Sequence, residues 1–152
     1  MTAYLDASAL AKRYFEEVGS EEVGEIWRSH TVVVASAIAY AEVLCAMTRK
    51  HREGGLSAVD LQTLLQRFAS DWRRVQVLDV SDDLNETIEG VVARHALRGL
   101  DAIHLASALY ASGESPTPVT FVCGDRRLLA AARAEGLAIC PEHWPSQEQP
   151  GS

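Results

Sequence analysis

The feature that most constrains the fold is a regular alternation of short apolar runs with longer helical stretches. Runs rich in β-branched and other apolar residues predict five strands, at residues 3–6, 31–35, 75–79, 119–123 and 138–140. Helical patterns with capping and stop signals lie between them, at residues 8–17, 20–29, 36–53, 57–74, 81–97, 100–112 and 126–135. Strands that are separated by helices pair in parallel through crossover connections. The pattern therefore predicts an α/β fold: a single domain with a central, mostly parallel five-stranded sheet flanked by helices on both faces.

Length and composition fit one globular domain. The chain has 152 residues, of which 47% are hydrophobic and 23% charged, a balance typical of a folded domain. We predict that residues 1–140 form this domain and that the polar, proline-containing residues 141–152 form a C-terminal tail. The three cysteines have no CxxC spacing and predict reduced thiols, and no apolar run is long enough to cross a bilayer. These features predict a cytoplasmic protein with no membrane association.

The charge of the chain limits how it binds nucleic acid. A net charge of −7 argues against coating nucleic acid without regard to sequence. It does not exclude a local basic patch, because arginines such as Arg98 and Arg126 flank candidate acidic positions and suit bidentate contacts with phosphate. Solvated surface charge is the equally simple interpretation of these arginines.

Four carboxylates occupy positions where ligand sites form. Asp6 ends the first predicted strand, Asp125 follows the fourth, and Asp101 opens an otherwise apolar helix. Ligands of α/β sheets bind outside the carboxyl ends of the strands. Glu42 has apolar neighbours at i±3 and i±4 on its predicted helix, which places it in the stripe that faces the core. Each acid also has a simpler interpretation: helix capping for the aspartates, and a structural salt bridge for Glu42.

Taken together, the four acids predict a metal site. Converging carboxylates repel one another unless cations neutralise them. A set of oxygen ligands suits Mg²⁺ or Mn²⁺ rather than zinc. Such a cluster favours hydrolysis of a phosphoester by an activated water molecule. His104, three residues after Asp101, has the spacing of a further ligand, although a histidine in the core or at its rim is the simpler interpretation.

Four segments, in this order and with these gaps, resemble the PIN-domain ribonucleases and most of all their VapC toxin branch. They are YLDASAL at 4–10, AEV at 41–43, LDAIHLA at 100–106 and GDRRLL at 124–129. The resemblance extends from about residue 2 to residue 140. It implies an endoribonuclease that depends on Mg²⁺ or Mn²⁺, leaves a 5′-phosphate and a 3′-hydroxyl, is neutralised by a cognate antitoxin and forms a homodimer.

The resemblance also implies roles for individual residues. The acidic quartet of the family corresponds by motif position to Asp6, Glu42, Asp101 and Asp125. Three of them, Asp6, Asp101 and Asp125, are expected to bind metal directly, and Glu42 either directly or through a bound water molecule. Ser8 matches a hydroxyl position near the metal. Two residues before Asp125 the family often carries Thr or Ser, whereas this chain has Cys123. Trp27 and the apolar residues of the first helices are candidates for the groove that holds the antitoxin.

Three other functions fit parts of the pattern. A non-catalytic PIN-like scaffold would share the fold and bind a partner only. A receiver-like phosphoacceptor domain would use Asp79 after the third strand, but such domains need an acidic pair near the first strand, where Asp6 is followed by Ala7. A phosphatase of the haloacid-dehalogenase type would need Asp-x-Asp at the same place, where the third residue is Ser8.

Overall fold

One parallel sheet organises the chain. The computed structural model describes residues 1–29 and 31–142. The strands are β1 (Thr2–Leu5), β2 (Val32–Ser36), β3 (Gln76–Leu78), β4 (Val119–Val122) and β5 (Ala138–Cys140). They lie in the order β3-β2-β1-β4-β5, and every neighbouring pair is parallel. The predicted α/β fold with a parallel five-stranded sheet is confirmed, whereas the predicted tail lies outside the described residues from residue 143 onward.

Within residues 1–29 and 31–142, seven helices connect the strands, all of them near predicted positions. They are α1 (Ala7–Ala11), α2 (Ser20–Arg28), α3 (Ile38–Arg52), α4 (Ala58–Trp72), α5 (Asn85–Arg94), α6 (Gly99–Glu114) and α7 (Arg126–Ala134). A single 3₁₀ turn, Asp82–Leu84, precedes α5. None of the helices in the described part of the chain is both long and apolar enough to cross a membrane.

Two helices end three or more residues before their predicted last residues, and tertiary contacts take the place of the missing turns. Helix α1 was predicted to continue to residue 17 but ends at Ala11, and the next residues turn inward. The Tyr14 hydroxyl donates to Asp71 Oδ2 on α4 (2.9 Å), and Arg13 Nε lies 3.1 Å from the same oxygen. Helix α5 was predicted to reach residue 97 but ends at Arg94, where His95 is extended and contacts Glu135.

The core has one apolar layer on each face of the sheet. In β1, Ala3 and Leu5 pack with α1–α4, whereas Tyr4 points to the opposite layer, which α5–α7 cover. A strand that is buried on both faces is typical of the centre of a parallel sheet. Trp27 belongs to the first layer and is only 5% exposed. The prediction that Trp27 lines an antitoxin groove is therefore wrong, since its ring is part of the core.

Candidate functional site

Asp6 follows the central strand directly and is almost entirely buried. Its side chain is 5% exposed, and Oδ1 accepts hydrogen bonds from the Ala9 amide (2.9 Å) and the Ser8 hydroxyl (2.7 Å). The Cys123 thiol donates to Oδ2 (3.1 Å). Burial raises the pKa of Asp6, and the nearby His104 and these hydrogen bonds lower it by less. Asp6 is thus both the N-cap of α1, as its position suggested, and a buried carboxyl group whose hydrogen-bond donors carry no charge.

Asp125 occupies the equivalent place after β4, the neighbour of β1. Its Oδ1 accepts from the Arg127 amide (2.8 Å) and the Leu128 amide (3.3 Å), which caps α7. Its own amide donates to Cys123 Sγ (3.2 Å). The Cys123 sulfur therefore joins Asp6 and Asp125 across the carboxyl ends of two adjacent strands.

Asp101 lies in the first turn of α6 without serving as its cap. The N-cap of that helix is Arg98, which makes no side-chain capping bond. Burial raises the pKa of Asp101, the charges of Asp125 and then Asp6 raise it further, and His104 and Arg98 lower it. Carboxylates influence one another in this way only when they lie close together. The three aspartates therefore lie near one another at the carboxyl edge of the sheet.

Glu42 does not lie in the core, contrary to the prediction. The buried positions of α3 are Ala39, Val43 and Met47, and Glu42 is displaced by one residue from that face, with 29% of its side chain exposed. One residue corresponds to a rotation of about 100° around a helix, enough to turn a side chain from the core to its rim. There Glu42 Oε1 lies 2.7 Å from His104 Nε2. This contact gives Glu42 a structural partner, as the salt-bridge alternative requires, and it is an ion pair when His104 is protonated.

His104 connects the members of the site. The imidazole is 2% exposed, and its Nδ1 lies 2.9 Å from the Tyr4 hydroxyl. Its charge lowers the pKa of both Asp6 and Asp101. The sequence correctly favoured a histidine in the core. Neither of its partners was identified, because they lie 100 and 62 positions away along the chain.

Ser8 and Cys123 hold the Asp6 carboxylate from two sides. The Ser8 hydroxyl donates to Asp6 and accepts from the Gly124 amide (2.8 Å). A Cβ atom on Gly124 would lie 3.0 Å from Ser8 Oγ, so a larger residue here would require the Ser8 side chain to move. Cys123, which replaces the hydroxyl residue common in the family, still supplies a hydrogen-bond donor to Asp6.

The arginines predicted to contact phosphate lie in different surroundings. Arg98 is close enough to Asp101 to lower its pKa, so it lies beside the carboxylates. Arg126, the first residue of α7, lines a surface groove together with Ile139 and Pro141. Asp79 follows β3, an edge strand two places from β1, and so is not adjacent to Asp6. This strand order removes the basis for a receiver-like phosphoacceptor.

The donor chemistry of the site fits a hard divalent cation. All four candidate ligands are carboxylates, the oxygen donors that Mg²⁺ and Mn²⁺ prefer. Within residues 1–29 and 31–142, no three His, Cys, Asp or Glu side chains are close enough together to hold an ion as they stand. Like charges repel, which opposes a closer approach of ionised carboxylates while no cation is bound. A bound cation would have to draw the carboxylates together.

Comparison with known proteins identifies the family. The PIN domain model matches residues 3–134. Ribonuclease VapC49 of Mycobacterium tuberculosis is 33% identical over 138 residues, which covers 91% of this chain and 94% of that protein. FitAcB from Neisseria gonorrhoeae has the same fold, with a TM-score of 0.68 at 17% identity over 90% of this chain and 95% of that one. A toxin–antitoxin complex from Klebsiella pneumoniae gives 0.61 at 18% identity over 84% and 90% of the two chains. The chain belongs to the PIN domain family, in the branch that contains the VapC ribonucleases.

Proposed function

We propose that the chain is an endoribonuclease dependent on Mg²⁺ or Mn²⁺ and the toxin of a toxin–antitoxin pair. The observation that carries the proposal is the proximity of Asp6, Asp101 and Asp125 at the carboxyl edge of the sheet, where burial and then the charges of Asp125 and Asp6 raise the pKa of Asp101. A cation is the simplest neutraliser of such a cluster. The name of the relative from M. tuberculosis, a ribonuclease, supports RNA as the substrate.

In this proposal each side chain has a defined task. Asp6, Asp101 and Asp125 bind the cation directly, and Glu42 binds it directly or through a water molecule. When bound, the ion polarises the scissile phosphate and lowers the pKa of the attacking water. Ser8 and Cys123 fix the carboxylate of Asp6. The guanidinium of Arg98, beside Asp101, binds a flanking phosphate, and Arg126, which directly follows Asp125, is the second candidate for the same role.

The partners follow from the same assignment. RNA nucleases of this kind act on exposed single-stranded loops, and we propose such an RNA in the cytoplasm as the substrate. The similar structure from K. pneumoniae is a toxin–antitoxin complex, which supports a cognate antitoxin as the protein partner. We further propose a homodimer, which light scattering of the purified chain would establish.

Cleavage of RNA by the purified chain tests the activity. We expect single-stranded RNA to be cut with Mg²⁺ or Mn²⁺ and to survive with EDTA, with 5′-phosphates that permit direct ligation and sequencing of the new ends. Asp6→Asn and Asp101→Asn should abolish cleavage and the growth arrest caused by the wild type in bacteria. Asp79→Asn, a strand-end carboxylate outside the cluster, is the matched control and should remain active.

One outcome would support a binding scaffold instead of an enzyme. In that case wild type and Asp101→Asn arrest growth equally at matched protein levels, and neither cuts RNA. The toxicity would then come from binding, and the nuclease proposal would be wrong.

A further inference from the structure

We propose that His104 is a positioning residue: anchored by Tyr4, it holds Glu42 in a fixed orientation at the carboxylate site. This role deepens the proposed nuclease function and rests on it. It concerns two buried side chains, neither of which belongs to the acidic quartet.

A continuous series of hydrogen bonds, from Tyr4 through His104 to Glu42, leads from the core to the site. The Tyr4 hydroxyl lies 2.9 Å from His104 Nδ1, and His104 Nε2 lies 2.7 Å from Glu42 Oε1. Solvent exposure rises along this series of hydrogen bonds, from 0% for Tyr4 and 2% for His104 to 29% for the Glu42 side chain. The three residues come from β1, α6 and α3, so these hydrogen bonds connect the central strand to helices on opposite faces of the sheet.

Tyr4, the buried end of this series of hydrogen bonds, is held rigidly. The Tyr4 ring stacks on Phe121 at a centroid distance of 5.6 Å, with 11° between the planes. It meets the His104 ring edge-on at 6.0 Å. Both rings are enclosed by the core, where closely packed side chains keep a single rotamer. The imidazole therefore has one orientation, which fixes where Nε2 points.

The hydrogen bonds determine the position of the ring proton. Burial raises the pKa of Tyr4 well above its ordinary value, so its hydroxyl stays protonated. When His104 is neutral, Tyr4 donates to Nδ1 and the ring proton lies on Nε2; when His104 is charged, both nitrogens carry protons. A proton on Nδ1 alone would direct the lone pair of Nε2 at the carboxylate, which is repulsive. In either permitted state Nε2–H donates to Glu42.

This donation explains how a partly exposed glutamate becomes ordered. Glu has three side-chain torsions, and on a helix surface it would occupy several rotamers. A charge-assisted hydrogen bond of 2.7 Å from a buried donor selects one of them. Oε1 is engaged in that bond, which leaves Oε2 to face an ion or a water molecule. A fixed carboxylate binds at lower entropic cost than a mobile one.

A purely structural clamp between α3 and α6 is the competing explanation, and the chain offers a matched control. His95 Nε2 lies 2.8 Å from Glu135 Oε1, a histidine–glutamate pair of nearly equal length that joins the end of α5 to α7 away from the carboxylates. His95→Leu removes this histidine–glutamate contact, while Arg94 still holds Glu135, and it does not touch the carboxylate site. We expect it to leave cleavage and metal response at wild-type levels.

The test compares His104→Leu, which removes the donor, with His104→Gln, whose amide can still donate to Glu42. We expect kcat to fall roughly 10- to 100-fold in His104→Leu, as when an outer-shell partner of a metal ligand is lost. His104→Gln should recover part of this loss. Tyr4→Phe keeps the stacking on Phe121 but removes the hydroxyl, and should reduce kcat by a smaller factor. Tyr4→Phe and His104→Gln also keep the test decisive if His104→Leu does not fold.

A double-mutant cycle shows whether His104 acts through Glu42. If it does, adding His104→Leu to Glu42→Gln causes no further loss of kcat. If the two losses multiply, His104 acts independently of Glu42 and the proposal is wrong. It is equally wrong if a folded His104→Leu matches the His95→Leu control.

Two further measurements do not depend on RNA cleavage. Nitrogen-15 NMR of the His104 ring should show a proton on Nε2, and a proton on Nδ1 alone would overturn the proposed donation. The stabilisation of the folded chain by Mn²⁺ should weaken in His104→Leu and not in His95→Leu. If the wild type cuts no RNA, the nuclease proposal fails, and the Mn²⁺ response alone decides the positioning role.

Discussion

The number of divalent ions held by the carboxylate site determines how steeply the melting temperature rises with ion concentration. An ion that binds only the folded chain stabilises it by RT ln(1 + [L]/Kd), so each tenfold rise in free ion above Kd adds about 1.4 kcal/mol. Unfolding entropy of about 2.1 cal/mol/K per residue gives roughly 0.3 kcal/mol/K for a chain of 152 residues. The melting temperature should therefore rise by about 4 °C per tenfold Mn²⁺ for one ion, and about 8 °C for two.

Asp101→Asn is the most informative perturbation, because Asp101 does not cap its helix and its charge is repelled by Asp125 and Asp6. In EDTA near neutral pH, we expect this variant to melt at or above the temperature of the wild type. With increasing Mn²⁺, its melting temperature should stay nearly constant. Asp79→Asn, which removes a carboxylate after the edge strand β3, should keep the wild-type slope. Thermal scans of the three proteins, followed by circular dichroism, supply the measurement.

Either of two results would refute this reasoning. The first is a wild type whose melting temperature does not change up to millimolar Mn²⁺, which would mean that the carboxylates hold no ion. The second is an equal slope in wild type and Asp101→Asn, which would place the ion elsewhere.

Three further predictions concern charge, space and packing. Burial raises the pKa of Asp6 and Asp101, so the folded chain keeps these protons at pH values where the unfolded chain releases them. In EDTA, the stability of the wild type relative to Asp101→Asn should therefore fall as pH rises through the range just above the ordinary aspartate pKa. Urea unfolding of both proteins at several pH values measures this difference, and a difference that does not change with pH would contradict the prediction. Gly124→Ala forces a Cβ to 3.0 Å from Ser8 Oγ and should weaken both cleavage and the Mn²⁺ response, whereas unchanged values would show that Ser8 does not need its present position. Phe68→Ala removes a core ring that is 1% exposed and should cost about 3–5 kcal/mol in urea unfolding, while the activity of the folded fraction stays at the wild-type level.

The strands and helices were predictable because their signals are local. All five strands lie within one or two residues of the predicted positions, since short apolar runs bounded by turn residues are typical of buried strands. The two helices that end early were not predictable in the same way. Residues 12–17 and 95–97 are compatible with helix, but Tyr14 and His95 find partners on distant elements that a helical backbone would not reach.

For the site as well, features with a local sequence signal were predictable, and features that depend on distant residues were not. The three aspartates were identified because the ends of strands and the starts of helices are visible in the sequence, and parallel strands bring their carboxyl ends to one edge. Glu42 was misplaced because apolar neighbours on a helix do not show which of two adjacent faces meets the core. Cys45, one of those neighbours, is in fact exposed. Neither hydrogen bond of His104 leaves a local trace in the sequence.

Helix capping and metal binding were treated as alternatives for the aspartates, but capping does not exclude the proposed metal role, since Asp6 and Asp125 both cap a helix and lie at the carboxylate site. Asp6 and Asp125 each accept backbone amide hydrogen bonds at Oδ1, so the start of the following helix orients the carboxylate. At Asp6 the other oxygen receives only a thiol, a weak donor that a cation can replace. The capping bonds thus reduce the freedom of the carboxylate before any ion arrives. Asparagine caps about as well as aspartate, so an Asp→Asn change at either position removes the charge while leaving the helix start in place.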